Sequence, residues 1–158
     1  MKNLIQINFQ NIKNVGIRVD FNVPINDSFQ ITDNTRLIRA KDTIDFVYKN
    51  ESKILLLSHF GRPKESFDEK FSFKNLIDQF SNILGYEIQP LPYEEFLQNG
   101  LQKFKEGMNK ITLLDNIRFF EGEKKNDKSF SQSITNELDL FINEAFSASH
   151  RSHASVNQ

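Results

Sequence analysis

Cysteine is absent from this chain of 158 residues, which excludes a disulfide framework and thiolate chemistry. Glycine is nearly as scarce, at six residues. Neither GxGxxG nor GxxxxGK(S/T) occurs, so the chain has no dinucleotide fingerprint and no P-loop of its own. No GxSxG elbow is present either, which removes the usual strand-to-helix setting of a serine nucleophile. The formal net charge is −1. A balance so close to zero gives no global field for nucleic acid or a membrane surface, so any affinity for anions must be local. No apolar stretch is long enough to span a bilayer. The opening MKNLIQINFQNIKN is broken by Asn and Gln and does not read as a secretory signal. A soluble, cytoplasmic protein is the expectation.

Arginine is also in short supply, and its placement is informative. Of 20 Lys and Arg residues only six are Arg: Arg18, Arg36, Arg39, Arg62, Arg118 and Arg151. Lysine is the general surface cation. Arg36, Arg62, Arg118 and Arg151 fall in short segments just after predicted strands, and Arg18 lies within one. The three histidines, His59, His150 and His153, keep the same company. A planar, permanently charged fork is hard to replace where a phosphate or carboxylate must be gripped in one orientation. The pattern predicts one anion site assembled from several loops.

Apolar periodicity alternates along the chain. Val15 to Phe21 reads as a strand. Leu37, Ala40, Ile44 and Val47 recur at helical spacing behind Thr32, Asp33 and Asn34 as candidate caps. KILLLS is apolar on both faces, as a strand covered by helices should be. A helix carrying Leu76, Ile77, Phe80, Ile83 and Leu84 is predicted to begin near Ser72 and stop at Gly85. A weak strand follows at Tyr86 to Gln89. Phe96, Leu97, Leu101 and Phe104 mark a third helix, interrupted by Gly100. ITLLDN is a strand, NDKSFSQSITNEL a helix capped by Asp127 with Phe130, Ile134 and Leu138 inward, and LFINEAF a fifth strand. This alternation predicts an α/β fold: a Rossmann-like three-layer sandwich with a mainly parallel sheet and helices on both faces. The segment SHASVNQ contains no closing helix, which fits a piece of something longer. Ligands of such sheets sit beyond the carboxyl ends of the strands, where the arginines are found.

Four segments carry the candidate chemistry. In RVDFNVP, alternation puts Arg18, Asp20 and Asn22 on one strand face. They form either a structural ion pair or a hydrogen-bonding row for a small polyol or acid. Pro24 ends the strand. In SHFGRP, Gly61 permits a tight turn and Pro63 stiffens the exit, holding His59 and Arg62 as donors. In LLDNIRFFEGEKKND, Asn116 and Arg118 follow a strand, so Arg118 can converge on Arg62, while the Lys and Glu residues beyond read as a solvated loop. In NEAFSASHRSHAS, small residues, His150, Arg151 and His153 make a donor-rich loop. No Cys or carboxylate spacing supports a metal there, so no metal site is expected in this chain.

Taken together and in this order, RVDFNVP, ITDNTR, SHFGRP, LLDNIRFFEGEKKND and FINEAFSASHRSHAS resemble the N-terminal domain of the phosphoglycerate kinases over nearly the whole chain. That family has two domains. The resemblance implies that residues 1–158 are the N-terminal domain, which binds 3-phosphoglycerate or 1,3-bisphosphoglycerate. Mg2+ with ADP or ATP is expected on a C-terminal domain absent from this chain, and hinge closure brings the two together. Asp20 and Asn22 match positions that meet the hydroxyl and carboxyl end of the substrate. Arg36 matches the arginine that stabilises the transferring phosphoryl group. His59, Arg62, Arg118 and Arg151 match the basic cluster on the non-transferring phosphate. Arg18 matches a motif position supporting Asp20, and Arg39 has no role.

There are departures from the family pattern. NDAFGTAHR stands here as NEAFSASHR, so Glu144 and Ser147 replace Asp and Gly, and the ENxRF pattern appears as Asp115-Asn116-Ile117-Arg118. The glycolytic kinase reaction, reversible phosphoryl transfer between 1,3-bisphosphoglycerate with ADP and 3-phosphoglycerate with ATP, is the implied activity. The chain alone is expected to bind phosphoglycerate as a monomer and not to turn over. The other reading is a non-catalytic phosphoglycerate- or anion-binding domain. Fold alone would license neither.

Overall fold

The computed structural model describes residues 4–64 and 66–145. Five parallel strands form one sheet in the order β3-β4-β2-β1-β5. They are β1 (Asn14–Arg18), β2 (Lys53–Leu57), β3 (Ile88–Leu91), β4 (Ile111–Leu114) and β5 (Leu140–Asn143). Between them run α1 (Thr35–Lys49), α2 (Ile77–Leu84), α3 (Tyr93–Asn99), α4 (Gln102–Glu106), α5 (Glu121–Lys124) and α6 (Lys128–Thr135). β1 and β2 share the register Ile17 with Leu56, and β1 and β5 the register Ile17 with Ile142.

Strand alternation feeds two cores, one on each face of the sheet. Ile54 and Leu56 of β2 pack with Leu37, Ala40, Ile44 and Val47 of α1 and Phe80 and Leu84 of α2. Leu55 and Leu57, the alternate residues, pack with Phe96 of α3, Phe104 of α4 and Ile134 of α6. Period two in the strand and period 3.6 in the helices thus meet in three layers, the architecture expected from the sequence. Each buried Leu, Ile or Phe contributes roughly 1.5–3 kcal/mol of transfer free energy.

Element boundaries differ from expectation where tertiary partners run out. β1 stops at Arg18, short of Phe21. The Val19 amide still donates to the Leu57 carbonyl at 2.9 Å, but β2 ends there and the Phe21 amide turns to Ser58 Oγ at 2.9 Å. Two 3-10 turns, Glu69–Phe71 and Phe73–Asn75, precede α2, so the α-helix begins at Ile77 rather than near Ser72. Gly85 ends it at φ +78°, as its position predicts. β3 lies two residues later than expected, and its buried residues Ile88 and Leu91 feed one core each. Pro90 is tolerated because β3 is an edge strand. Leu97, one of the apolar positions marking the third helix, is 59% exposed.

Candidate functional site

Loops from three neighbouring strands meet at the carboxyl edge of the sheet. The β1 loop brings Asp20 and Asn22, the β2 loop His59, Gly61 and Arg62, and the β4 loop Asn116 and Arg118. Arg36 joins them from the first turn of α1, not from a loop as its sequence context implied. Its Nη1 donates to the Asn22 carbonyl at 2.6 Å and lies 3.3 Å from Asp20 Oδ1. The Arg36 side chain is 44% exposed and that of Asp20 18%. The guanidinium is therefore anchored along one edge and open to solvent along the rest.

Two asparagines pin these loops to one another. Asn22 Oδ1 accepts from the Gly61 amide at 2.9 Å, tying the β1 loop to the β2 loop. Asn116 is fully buried. Its Oδ1 accepts from the amides of Phe60 and Arg118, both at 3.1 Å. Its Nδ2 donates to the carbonyls of Phe60 at 2.6 Å and Phe71 at 3.1 Å. Asp115 beside it accepts from Ser72 Oγ and from the Phe73 amide. The sequence placed Asn116 correctly after a strand, but only the fold shows it serving as the rivet.

Gly61 sits at φ +60°, and a Cβ there would meet the Phe71 ring at 2.4 Å. The turn it allows aims the Gly61 carbonyl at Arg118, whose Nη1 donates to it at 2.8 Å. Arg118 thus bonds to the residue next to Arg62. Arg62 itself is exposed and Pro63 after it is buried. Arg39 is exposed on α1.

Arg18 departs from the sequence reading. It ends β1 rather than sharing a continuous strand face with Asp20 and Asn22, and it is 1% exposed. Its Nη1 donates to the Val19 carbonyl at 3.0 Å, and its Nη2 lies 3.4 Å from His59 Nδ1. Burial pushes its guanidinium down to about 10. The charges of Glu123 and Asp20 oppose that shift and the charge of Arg118 adds to it. Arg18 therefore remains a cation at neutral pH. Glu123 is the residue that sequence reasoning misses. Its surroundings in the sequence read as a solvated loop, yet it is 1% exposed. α5, which carries it, has only four residues, too few to show a periodic signal.

Glu144, one of the departures, lies just after β5. Its Oε1 accepts from Thr43 Oγ1 of α1 at 2.5 Å and its amide donates to the Arg18 carbonyl at 2.7 Å. The longer carboxylate is accommodated by a bond to the neighbouring helix. Arg151, His150, His153 and Ser147 lie outside the described residues.

Among the described residues no three His, Cys, Asp or Glu side chains are grouped to hold a metal ion, and no helix is long and apolar enough to cross a membrane. A cavity of ≈ 290 Å³ opens between α2 and the ends of β3 and β4. Its walls include Phe73, Ile77, Leu91 and Tyr93 and none of the candidate arginines. The arginine edge is instead an open, donor-rich surface: fixed guanidinium groups and one carboxylate, suited to a small polyanion that also carries a hydroxyl.

Comparison with known proteins identifies the family and the fold. The family model described as phosphoglycerate kinase matches residues 4–158. Phosphoglycerate kinase of a Wolbachia strain from Drosophila simulans is 43% identical over 148 residues, covering 92% of this chain and 36% of that protein. That of Prochlorococcus marinus is 41% identical over 145 residues, covering 91% and 36%. The chain thus spans little more than a third of the length of these relatives. Among solved structures, phosphoglycerate kinase from Coxiella burnetii superposes with a TM-score of 0.77 at 28% identity, covering 96% of this chain and 37% of that one. The enzyme from Pyrococcus horikoshii gives 0.76 at 25% identity, covering 98% and 39%. With the sheet, the loop edge and a match running from Leu4 to Gln158 in agreement, this chain belongs to the phosphoglycerate kinase family.

Proposed function

We propose that residues 1–158 form the phosphoglycerate half-site of a phosphoglycerate kinase, binding 3-phosphoglycerate or 1,3-bisphosphoglycerate at the carboxyl edge of the sheet. One observation carries this reading: Asn22, Asn116 and the Gly61 turn lock three loops together so that Arg36 and Arg118 are held on one edge with His59 and Arg62. Preorganised donors of this kind stabilise charge without rearrangement at the moment of reaction.

Asp20 and the Asn22 carbonyl orient Arg36, which faces the transferring phosphoryl group. Charge in that transition state spreads over three equatorial oxygens, and a fixed guanidinium offsets it. Asp20 and Asn22 take the hydroxyl and carboxyl end of the substrate. His59, Arg62, Arg118 and Arg151 hold the non-transferring phosphate. The sequence offers no Gly-rich phosphate loop to cradle a magnesium nucleotide. The nucleotide belongs on another part of a longer cytoplasmic protein. Half the positioning is then missing, and the chain alone binds without turnover. It acts as a monomer, with no nucleic-acid or membrane partner.

The test pairs two measurements. Amide NMR shifts on titration with 3-phosphoglycerate should concentrate at residues 20–22, 59–62 and 116–118. A coupled assay with 1,3-bisphosphoglycerate and MgADP should show no ATP above background. Shifts scattered over the surface would refute the half-site, and ATP formation by this chain alone would refute the division of labour.

A further inference from the structure

Arg18 and His59 face each other inside the site, 1% and 8% exposed. Arg18 is paired in register with Leu57, two residues before His59. The Arg18 Nη2 to His59 Nδ1 distance is 3.4 Å. Guanidinium carries five N–H donors and no acceptor, so the imidazole nitrogen facing it must present its lone pair. A proton on Nδ1 would set two N–H groups against each other at 3.4 Å in a buried setting. The imidazolium form meets the same obstacle, because both of its nitrogens carry protons. The single ring proton is therefore left on Nε2.

We propose that Arg18 is a positioning residue that fixes His59 as the neutral Nε2–H tautomer, making His59 a directional hydrogen-bond donor to the bound anion rather than a cation. The inference rests on the phosphoglycerate reading above for the anion, but not for the tautomer. Glu123 completes the device. Its buried carboxylate, with Asp20, keeps the Arg18 guanidinium charged against burial and against the nearby charge of Arg118. The other arm of Arg18 is occupied by the Val19 carbonyl at 3.0 Å, which fixes the rotation of the fork. Charge at the site then comes from guanidinium groups, and His59 supplies direction.

The tautomer can be read directly from a long-range 1H–15N spectrum of the ligand-free chain with 15N-labelled histidine at neutral pH. His59→Gln identifies the His59 signals among the three histidines. The expected pattern is a non-protonated Nδ1 and a protonated Nε2. A protonated Nδ1, alone or together with Nε2, overturns the proposal. In Arg18→Met the ring should relax to a mixture of tautomers. Because this variant leaves the Glu123 carboxylate buried without its cation, Arg18→Met/Glu123→Gln is the companion. A pure Nε2–H tautomer in either folded variant would show that Arg18 does not set it. If neither variant folds, the wild-type spectrum still decides. Failure of 3-phosphoglycerate to bind would refute the half-site while leaving the tautomer reading standing.

Discussion

Asn116 uses its whole amide inside the protein, with two amides donating to its oxygen and two carbonyls receiving its N–H groups. Replacing it with Ala leaves several buried backbone groups unsatisfied, so we expect a loss of roughly 3 kcal/mol in urea unfolding, at the upper end of what one such group costs. Arg36 is the opposite kind of residue. It is exposed and its ion pair with Asp20 is open to solvent, so Arg36→Met should change stability by less than about 1 kcal/mol. It should nevertheless weaken 3-phosphoglycerate binding at least tenfold, about 1.4 kcal/mol. Calorimetric titration together with a melt separates the two effects. What is legible at this scale is residue type and place. Arg62 and Arg118 stand out by their positions after strands, since only scarce arginine in loops makes the pattern visible. The burial of Glu123 is not legible, because a four-residue helix has no period to reveal an inward face.

The Gly61 turn and the Gly85 helix end share a left-handed backbone but differ in surroundings. At Gly85, φ is +78° and a Cβ would meet nothing within 4 Å; at Gly61, φ is +60° and a Cβ would stand 2.4 Å from the Phe71 ring. Gly85→Ala should therefore cost only the left-handed conformation, about 1–2 kcal/mol. Gly61→Ala should cost more and also lower phosphoglycerate affinity, since Arg118 is held by the Gly61 carbonyl. If both variants unfold at the same urea concentration, the packing part of the argument is wrong.

Helix α1 is tied to the segment after α2 by Tyr86, whose hydroxyl donates to Asp45. Burial first, and then this bond, raise the Tyr86 pKa to about 12. The folded value lies above the ordinary value of about 10, so the stabilisation is whole below about pH 10 and is lost as pH rises through about 12. Urea midpoints between about pH 9 and 12 should fall more steeply in the wild type than in Tyr86→Phe; parallel curves would contradict this. Elements themselves are readable because strand and helix periods differ. Their ends are not. The sequence overextends β1 because the alternation of IRVDFNV continues past the point where neighbouring strands stop. The interruption expected at Gly100 does divide the third helix, into α3 and α4.

For the whole molecule, two cores lie on one parallel sheet, and the candidate arginines stand at its carboxyl edge rather than in the apolar cavity beside α2. The sequence makes this layout legible because alternating elements and strand-end arginines are independent signals that agree. Strand order is not legible, since the placement of β5 beside β1 depends on packing of its half-buried face. Gly16 contributes there: a Cβ on it would meet Leu138 at 2.5 Å and Phe141 at 3.1 Å, so the strand admits these side chains only as glycine. Calorimetric titration of this chain with 3-phosphoglycerate, against inorganic phosphate and against Arg62→Ala, tests the half-site most directly. Saturable binding that exceeds phosphate and drops at least tenfold in Arg62→Ala is the expected result. Binding no tighter than phosphate, or untouched by the substitution, would contradict it.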